Sequence, residues 1–235
     1  MSAGPDWQTA FPLRPATAAV DALLDSWRFL AAVKRPHFHP GMKEPALTKA
    51  LKAYVENVTA RDRGLLGMWA AESVHHDIDP DTAELTHERR TDIVYGWNDG
   101  TQAIELIFEF KKMGRQKKHR DHYLLAKGLG RFVSGAYGRH QVAAAMVGIL
   151  IDPEADVVPP LQQAFGDTNL AGLLRLRPTT AGNPYAEPSA LFATAHFDTE
   201  HDRDPALCPG AIRVAHFFLP FGYATSTLKT KSPAG

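Results

Sequence analysis

A chain of 235 residues, 44% hydrophobic and 22% charged, carries enough apolar material for one substantial core. Its 26 basic and 26 acidic residues cancel, which excludes a global field strong enough to hold nucleic acid without a local patch. The single cysteine, Cys208, excludes an intramolecular disulfide framework and a cysteine-based zinc site. The start, MSAGPDWQTAFPLRP, has no basic or continuously apolar region, and no run approaches the ~20 apolar residues of a membrane span, so the expectation is a cytoplasmic protein.

After a loose, proline-containing start, Val20, Leu23, Leu24, Trp27, Leu30 and Ala31 recur at helical spacing and predict a helix over 16–34, ended by RPHFHPG. KEPALTKALKAYVENV predicts a second helix with Pro45 in its first turn. Its apolar stripe is Leu47, Leu51, Tyr54, Val55 and Val58, with Glu44 at the N-terminal tip of the buried face. LLGMWAAESV reads as a first strand, HHDIDPDTAELTHE as a polar loop turning at Pro80, Asp81 and Thr82, and RRTDIVYGW as a second strand. NDGT is a hairpin signal, because Asp-Gly supplies the positive φ angles of tight turns, and IELIFEFKKM follows as a third strand.

DHYLLAKGLGRFVSGAYG predicts one helix, with Leu125, Leu129, Phe132 and Val133 facing inward, Tyr123, Lys127 and Arg131 facing outward, and Gly138 as its stop. VAAAMVGILI reads as a strand buried on both faces, as a parallel central strand is. Beyond Asp152, PPLQQAF reads as a short helix, TTAGNPYAEPS as a loop, ALFATAHFD and IRVAHFFLPF as two strands, and TLKTKSPAG as a frayed end.

Chemistry concentrates on the third strand. Side chains alternate across a strand, so Ile104, Leu106, Phe108 and Phe110 share one face while Glu105, Ile107, Glu109 and Lys111 share the other. A turn centred on Asp99 and Gly100 pairs Asp92 with Ile107 and sets Asp92 diagonally beside Glu109. Two carboxylates and a lysine gathered this way suit a hard divalent cation, which takes carboxylates, waters and phosphate oxygens as ligands. The run KKMGRQKKHR then offers six Lys or Arg residues and no acid, a local patch for phosphates or a solvated loop.

TDI at Asp92 and EFK at Glu109 and Lys111 resemble the D…ExK signature of the PD-(D/E)xK nuclease superfamily, which includes restriction endonucleases and junction resolvases. The resemblance covers roughly 43–151, where the order helix, three-stranded meander, helix, parallel strand is that of the superfamily core. It implies an α/β fold with a restriction-endonuclease-like mixed sheet flanked by helices. The chain is then one domain, with a helical extension over 1–42, the core over 43–151 and a strand and loop extension over 152–235. Asp92, Glu109, the carbonyl of Phe110 and an acid from the helix, Glu44, would be ligands of Mg²⁺, with Mn²⁺ able to substitute. Glu56 lies off the buried stripe and is the poorer choice. Lys111 would be the water-orienting base or an electrostatic stabiliser. Lys112, Arg115, Lys117, Lys118, Arg120, Lys127 and Arg131 would contact nucleic acid. The proline that commonly precedes the aspartate is replaced by Thr91.

The expected function is therefore metal-dependent hydrolysis of phosphodiester bonds, in double-stranded DNA first, leaving 5′-phosphate ends and serving as a defence-system effector. A homo-oligomer or a regulatory partner is compatible with it. The alternatives are a non-catalytic nucleic-acid-binding or oligomerising subunit, in which Glu109 and Lys111 form only a same-face ion pair, and a histidine-ligated metalloenzyme using His37, His39, His75, His76, His196 or His216. No HExxH spacing supports the last.

Overall fold

The computed structural model describes residues 11–78, 81, 82, 85–206, 208 and 210–223, with backbone alone at 75–78 and 85–89. The first ten residues of the expected loose start, Pro80 and the expected frayed end TLKTKSPAG lie outside these. Helix α1 (Leu13–Ala31) starts before the predicted position and buries Ala16, Ala19, Val20, Leu23 and Trp27 along one stripe. Helix α2 (Glu44–Tyr54) has proline in its first turn and buries Leu47, Thr48 and Leu51. It continues through a π turn, Val55–Thr59, into Ala60–Asp62, and the extra residue of that turn lets both Val55 and Ala60 face the core.

The next segment corrects the sequence reading. Strands β1 (Met68–Ile78) and β2 (Leu85–Asn98) form a long antiparallel ribbon, in which His75 pairs with Arg89 and Ile78 with Leu85. Most of what reads as a polar loop is strand. A polar sequence does not prevent antiparallel backbone pairing, and the ladder continues through it.

Strand β3 (Ala103–Met113) follows, and its hairpin also departs from expectation. Asn98 pairs with Ala103, so the loop has four residues, 99–102, and its geometry is set by a side chain: Asp99 Oδ1 accepts the N–H groups of Thr101 at 2.9 Å and Gln102 at 2.8 Å. Gly100, at φ 88°, supplies the one left-handed residue. Ile107 therefore faces Val94 rather than Asp92. A shift of two residues leaves every side chain on its face, whereas a shift of one would have inverted them all.

The predicted single helix after β3 is two short ones, α3 (Lys117–Leu124) and α4 (Gly130–Val133). Between them the chain doubles back over Gly128, where a Cβ atom would stand 2.1 Å from the Tyr123 carbonyl oxygen. The break overturns the expected outward face: Tyr123 is fully buried while Lys127 is exposed. Strand β4 (Ala143–Leu150) is buried at every position and runs parallel to β3, as its unbroken apolar sequence predicts.

Helix α5 (Glu154–Ala164) begins upstream of PPLQQAF, because Val157 and Val158 also face the core. Helix α6 (Thr168–Leu173) and strand β5 (Leu176–Arg177) come next. Of ALFATAHFD only the end is strand, in β6 (Phe197–His201). The preceding residues bend around Asp198, whose carboxylate accepts the Ser189 hydroxyl and the N–H groups of Ala190 and Leu191. Strand β7 (Ile212–Leu219) closes the described sheet, which runs β1-β2-β3-β4-β7-β6-β5. The β3–β4 and β4–β7 pairs are parallel and the others antiparallel. The fold is thus α/β, a seven-stranded mixed sheet with an apolar core on each face, one built with α1 and α2, the other with α3, α4 and α5. Among the described residues no helix is long and apolar enough to cross a membrane.

Candidate functional site

The site forms where β2 leaves β3. Their last paired residues are Ile93 and Phe108, while β3 stays bonded to β4 on its other side as far as Met113. The Phe110 and Lys112 N–H groups of β3, beyond that point, face the gap, and a buried donor without an acceptor costs free energy comparable to a lost hydrogen bond. Two carboxylates take the place of the departed strand. Asp92 Oδ2 accepts the Phe110 N–H at 2.8 Å, and Glu44 Oε2 accepts the Lys112 N–H at 2.7 Å.

Glu44 reaches the gap because it is the first residue of α2, whose axis ends against the last residues of β3. The structure so brings Asp92, Glu109, Lys111 and Glu44 together, around the ammonium of Lys111. Its Nζ lies 2.6 Å from Glu109 Oε1, 3.5 Å from Glu44 Oε1 and 4.0 Å from Asp92 Oδ2, and it donates to the Phe110 carbonyl at 2.7 Å. Glu109 is almost wholly buried, and its Oε2 has no hydrogen-bond partner among the described residues. Strand β3 is the third of seven in the sheet, and the opening lies at its end rather than at a sheet edge.

Crowding acidic groups away from water raises all three carboxyls. Burial is the largest cause for each, and the Asp92 charge adds to it for Glu109, which is pushed up to about 8. Burial works to depress the Lys111 ammonium, but the attraction of Glu109, Glu44 and Asp92 outweighs it and the net shift is upward. Lys111 therefore holds its proton firmly. Among the described residues, no group of three His, Cys, Asp or Glu side chains stands ready to ligate a metal. The carboxylates surround an ammonium instead.

The basic residues divide into distinct environments. Lys112 points through the sheet to the other face, where its Nζ donates to the carbonyls of Pro40 at 2.5 Å and Met42 at 3.1 Å. Arg115 pairs with Asp152 and Asp156, and Lys117 with Asp121. Lys118 and Lys127 are exposed and Arg120 half-buried. Arg131 comes closest to the site, 3.9 Å from Glu109 Oε1, with its guanidinium over the Tyr137 ring and donating to the Tyr137 hydroxyl. That hydroxyl donates in turn to the Arg90 carbonyl, so Tyr137 fixes both Arg131 and the β2 backbone two residues before Asp92. Nothing in its sequence neighbourhood marks Tyr137 for this.

Among the described residues the histidines do not converge on one another as ligands, and the side chains of His75 and His76 lie outside these. His216 and His201 lie in a buried chain with Tyr123 and Thr199, and the Leu174 carbonyl, which can only accept, sets its direction. His201 Nδ1 donates to Leu174, its Nε2 accepts from Thr199 Oγ1, Thr199 accepts from His216 Nε2, and His216 Nδ1 accepts from the Tyr123 hydroxyl. All four ring nitrogens are spent within the protein. His196 instead faces Glu154 at 3.3 Å.

Burial lowers the pKa of His201 from 6.5 to about 4 and holds that of His216 well below its ordinary value. The unfolded chain binds more protons in this window, so the contribution of His201 is fully present above pH 6.5 and lost as pH falls toward 4. Between pH 7 and pH 4 the parent is expected to lose about 3 kcal/mol of stability relative to a His201→Gln variant. Urea unfolding at a series of pH values checks this, and parallel curves for the two proteins would refute it.

Compared with protein-family models, with curated proteins and with solved structures, the chain finds no match.

Proposed function

We propose that this protein is a metal-dependent nuclease of the PD-(D/E)xK kind, hydrolysing phosphodiester bonds in DNA. One observation carries the reading: three raised-pKa carboxyls and a free-standing strand carbonyl converge on one cation at the place where β3 opens. Such a cluster is short of positive charge. The unpartnered Oε2 of Glu109 is an unspent ligand atom, and oxygen donors of this type suit Mg²⁺ or Mn²⁺. Asp92, Glu109 and the Phe110 carbonyl would hold the ion, with Glu44 beside them. When bound, it would polarise the scissile phosphate and lower the pKa of a water molecule.

The remaining work falls to the chain. Asp92 is held in place by the Phe110 N–H, so its carboxylate does not have to be ordered when substrate arrives. Lys111 keeps its proton, which favours the electrostatic role over that of base: its ammonium stabilises charge developing on the phosphate oxygens and orients the attacking water through a hydrogen bond. Arg131, clamped by Tyr137, presents a second cation from the α4 side. Lys118, Arg120 and Lys127 can neutralise flanking phosphates without taking part in the chemistry.

The direct test is supercoiled plasmid incubated with the purified chain and Mg²⁺ or Mn²⁺. Nicking that stops on chelation and resumes when metal is restored is the expected result. Binding of DNA with no cleavage in either metal would return the protein to the non-catalytic class.

A further inference from the structure

Lys112 sits beside Lys111 in sequence and faces the opposite way, toward α1 and α2. Its ammonium is already engaged by the Pro40 and Met42 carbonyls, and its own N–H holds Glu44. The segment it grips is built to be gripped. The Arg35–Phe38 bridge starts it, the Met42 N–H donates to the His39 carbonyl, and the Gly41 N–H donates to His39 Nδ1. Phe38 is buried against Trp27 and Phe221. The loop therefore delivers the first residue of α2 to a fixed point, and the Lys112 ammonium ties that loop to β3 from the helix-covered face.

We infer that Lys112 is a positioning residue for the metal-binding carboxylates: it pins the 40–42 loop to β3 and so sets where Glu44 stands beside Asp92, Glu109 and Lys111. This rests on the nuclease reading above. It also gives the N-terminal region a place in the site, since α1 and its loop then determine the geometry of one carboxylate. A lysine serving phosphates would keep its ammonium in solvent. This one is bonded to two carbonyls on the helix-covered side of the sheet, where burial lowers its pKa.

The experiment compares the full-length parent with Lys112→Met, which keeps the apolar stem and removes the ammonium, and with Lys112→Arg, which can again donate to both carbonyls. Mn²⁺ binding by calorimetry should weaken on the order of 10-fold in Lys112→Met, as for other residues that orient ligands, and recover in Lys112→Arg. The salt dependence of DNA binding should not change. Hydrogen exchange at the amides of 42–44, 46 and 47 should quicken in Lys112→Met alone. Unchanged Mn²⁺ affinity in Lys112→Met overturns the inference, as does a salt slope reduced by about one, the mark of a lost phosphate contact. A parent that takes up no Mn²⁺ sinks the metal reading instead. The exchange rates then judge the tether by themselves, and rates equal to the parent's refute it.

Discussion

Asp92→Asn and Lys111→Ala should each lower metal-dependent cleavage by at least ~100-fold, the scale of losing one preorganised electrostatic group, while moving metal affinity in opposite directions. Asn at position 92 still offers an oxygen to the Phe110 N–H, so β3 keeps its acceptor and the fold survives. It is a neutral ligand in place of an anionic one, and Mn²⁺ binding weakens. Removing the Lys111 ammonium takes away a cation that lies within 4.0 Å of all three carboxylates and competes for them. Mn²⁺ binding then tightens even as catalysis falls. Calorimetry of both variants beside a nicking assay measures the pair of effects. Two variants that cut like the parent would leave only a strand ion pair.

The largest structural effect is expected at Trp27. Its side chain is fully buried, touches Phe38 and Phe221 edge-on or tilted, and donates from Nε1 to the Pro220 carbonyl at 2.8 Å. One residue thereby joins α1, the loop ahead of Glu44 and the chain just after β7. Trp27→Ala should cost about 4 kcal/mol in urea unfolding, the range for emptying a buried aromatic site. Trp27→Phe should cost about 1–2 kcal/mol, because most of the packing remains and the Pro220 carbonyl loses its donor. A loss below about 1 kcal/mol for the alanine variant would mean that the three segments hold together without it.

Strand alternation is a local rule, and it placed Glu109 and Lys111 on one face without reference to any other part of the chain. Pro45 likewise fixed the start of α2 and so the position of Glu44. The turn departs from its sequence signal because Asp99 closes a wider loop with its side chain, yet the register differs by an even number of residues and the face is kept. Other features depend on what is far away in sequence. His216 and Tyr123 are 93 positions apart, and no spacing joins them. Gly128 and Gly130 look tolerable inside a helix until the close approach of the Tyr123 carbonyl to the first and of the Leu125 carbonyl to the second is seen. Lys112 reads as one more cation in a basic run, although the same alternation that placed Lys111 already put it on the opposite side. Its partners are backbone carbonyls, which carry no signature in the sequence.

On the proposed nuclease reading, the two carboxylates that fill the gap left by β2 constrain how this protein could lose its chemistry over time. A descendant that abandoned catalysis would be free to discard Lys111 once the acids around it were neutralised. It would not be equally free at positions 92 and 44, because the Phe110 and Lys112 amides would still require acceptors. Asn or Ser at the first and Gln at the second would serve the backbone, where Ala or Val would leave a donor stranded. Inactive relatives should therefore be marked by polar acceptors at those positions rather than by apolar residues. A chain carrying an asparagine and a glutamine there would keep the shape of the site after its charge had gone.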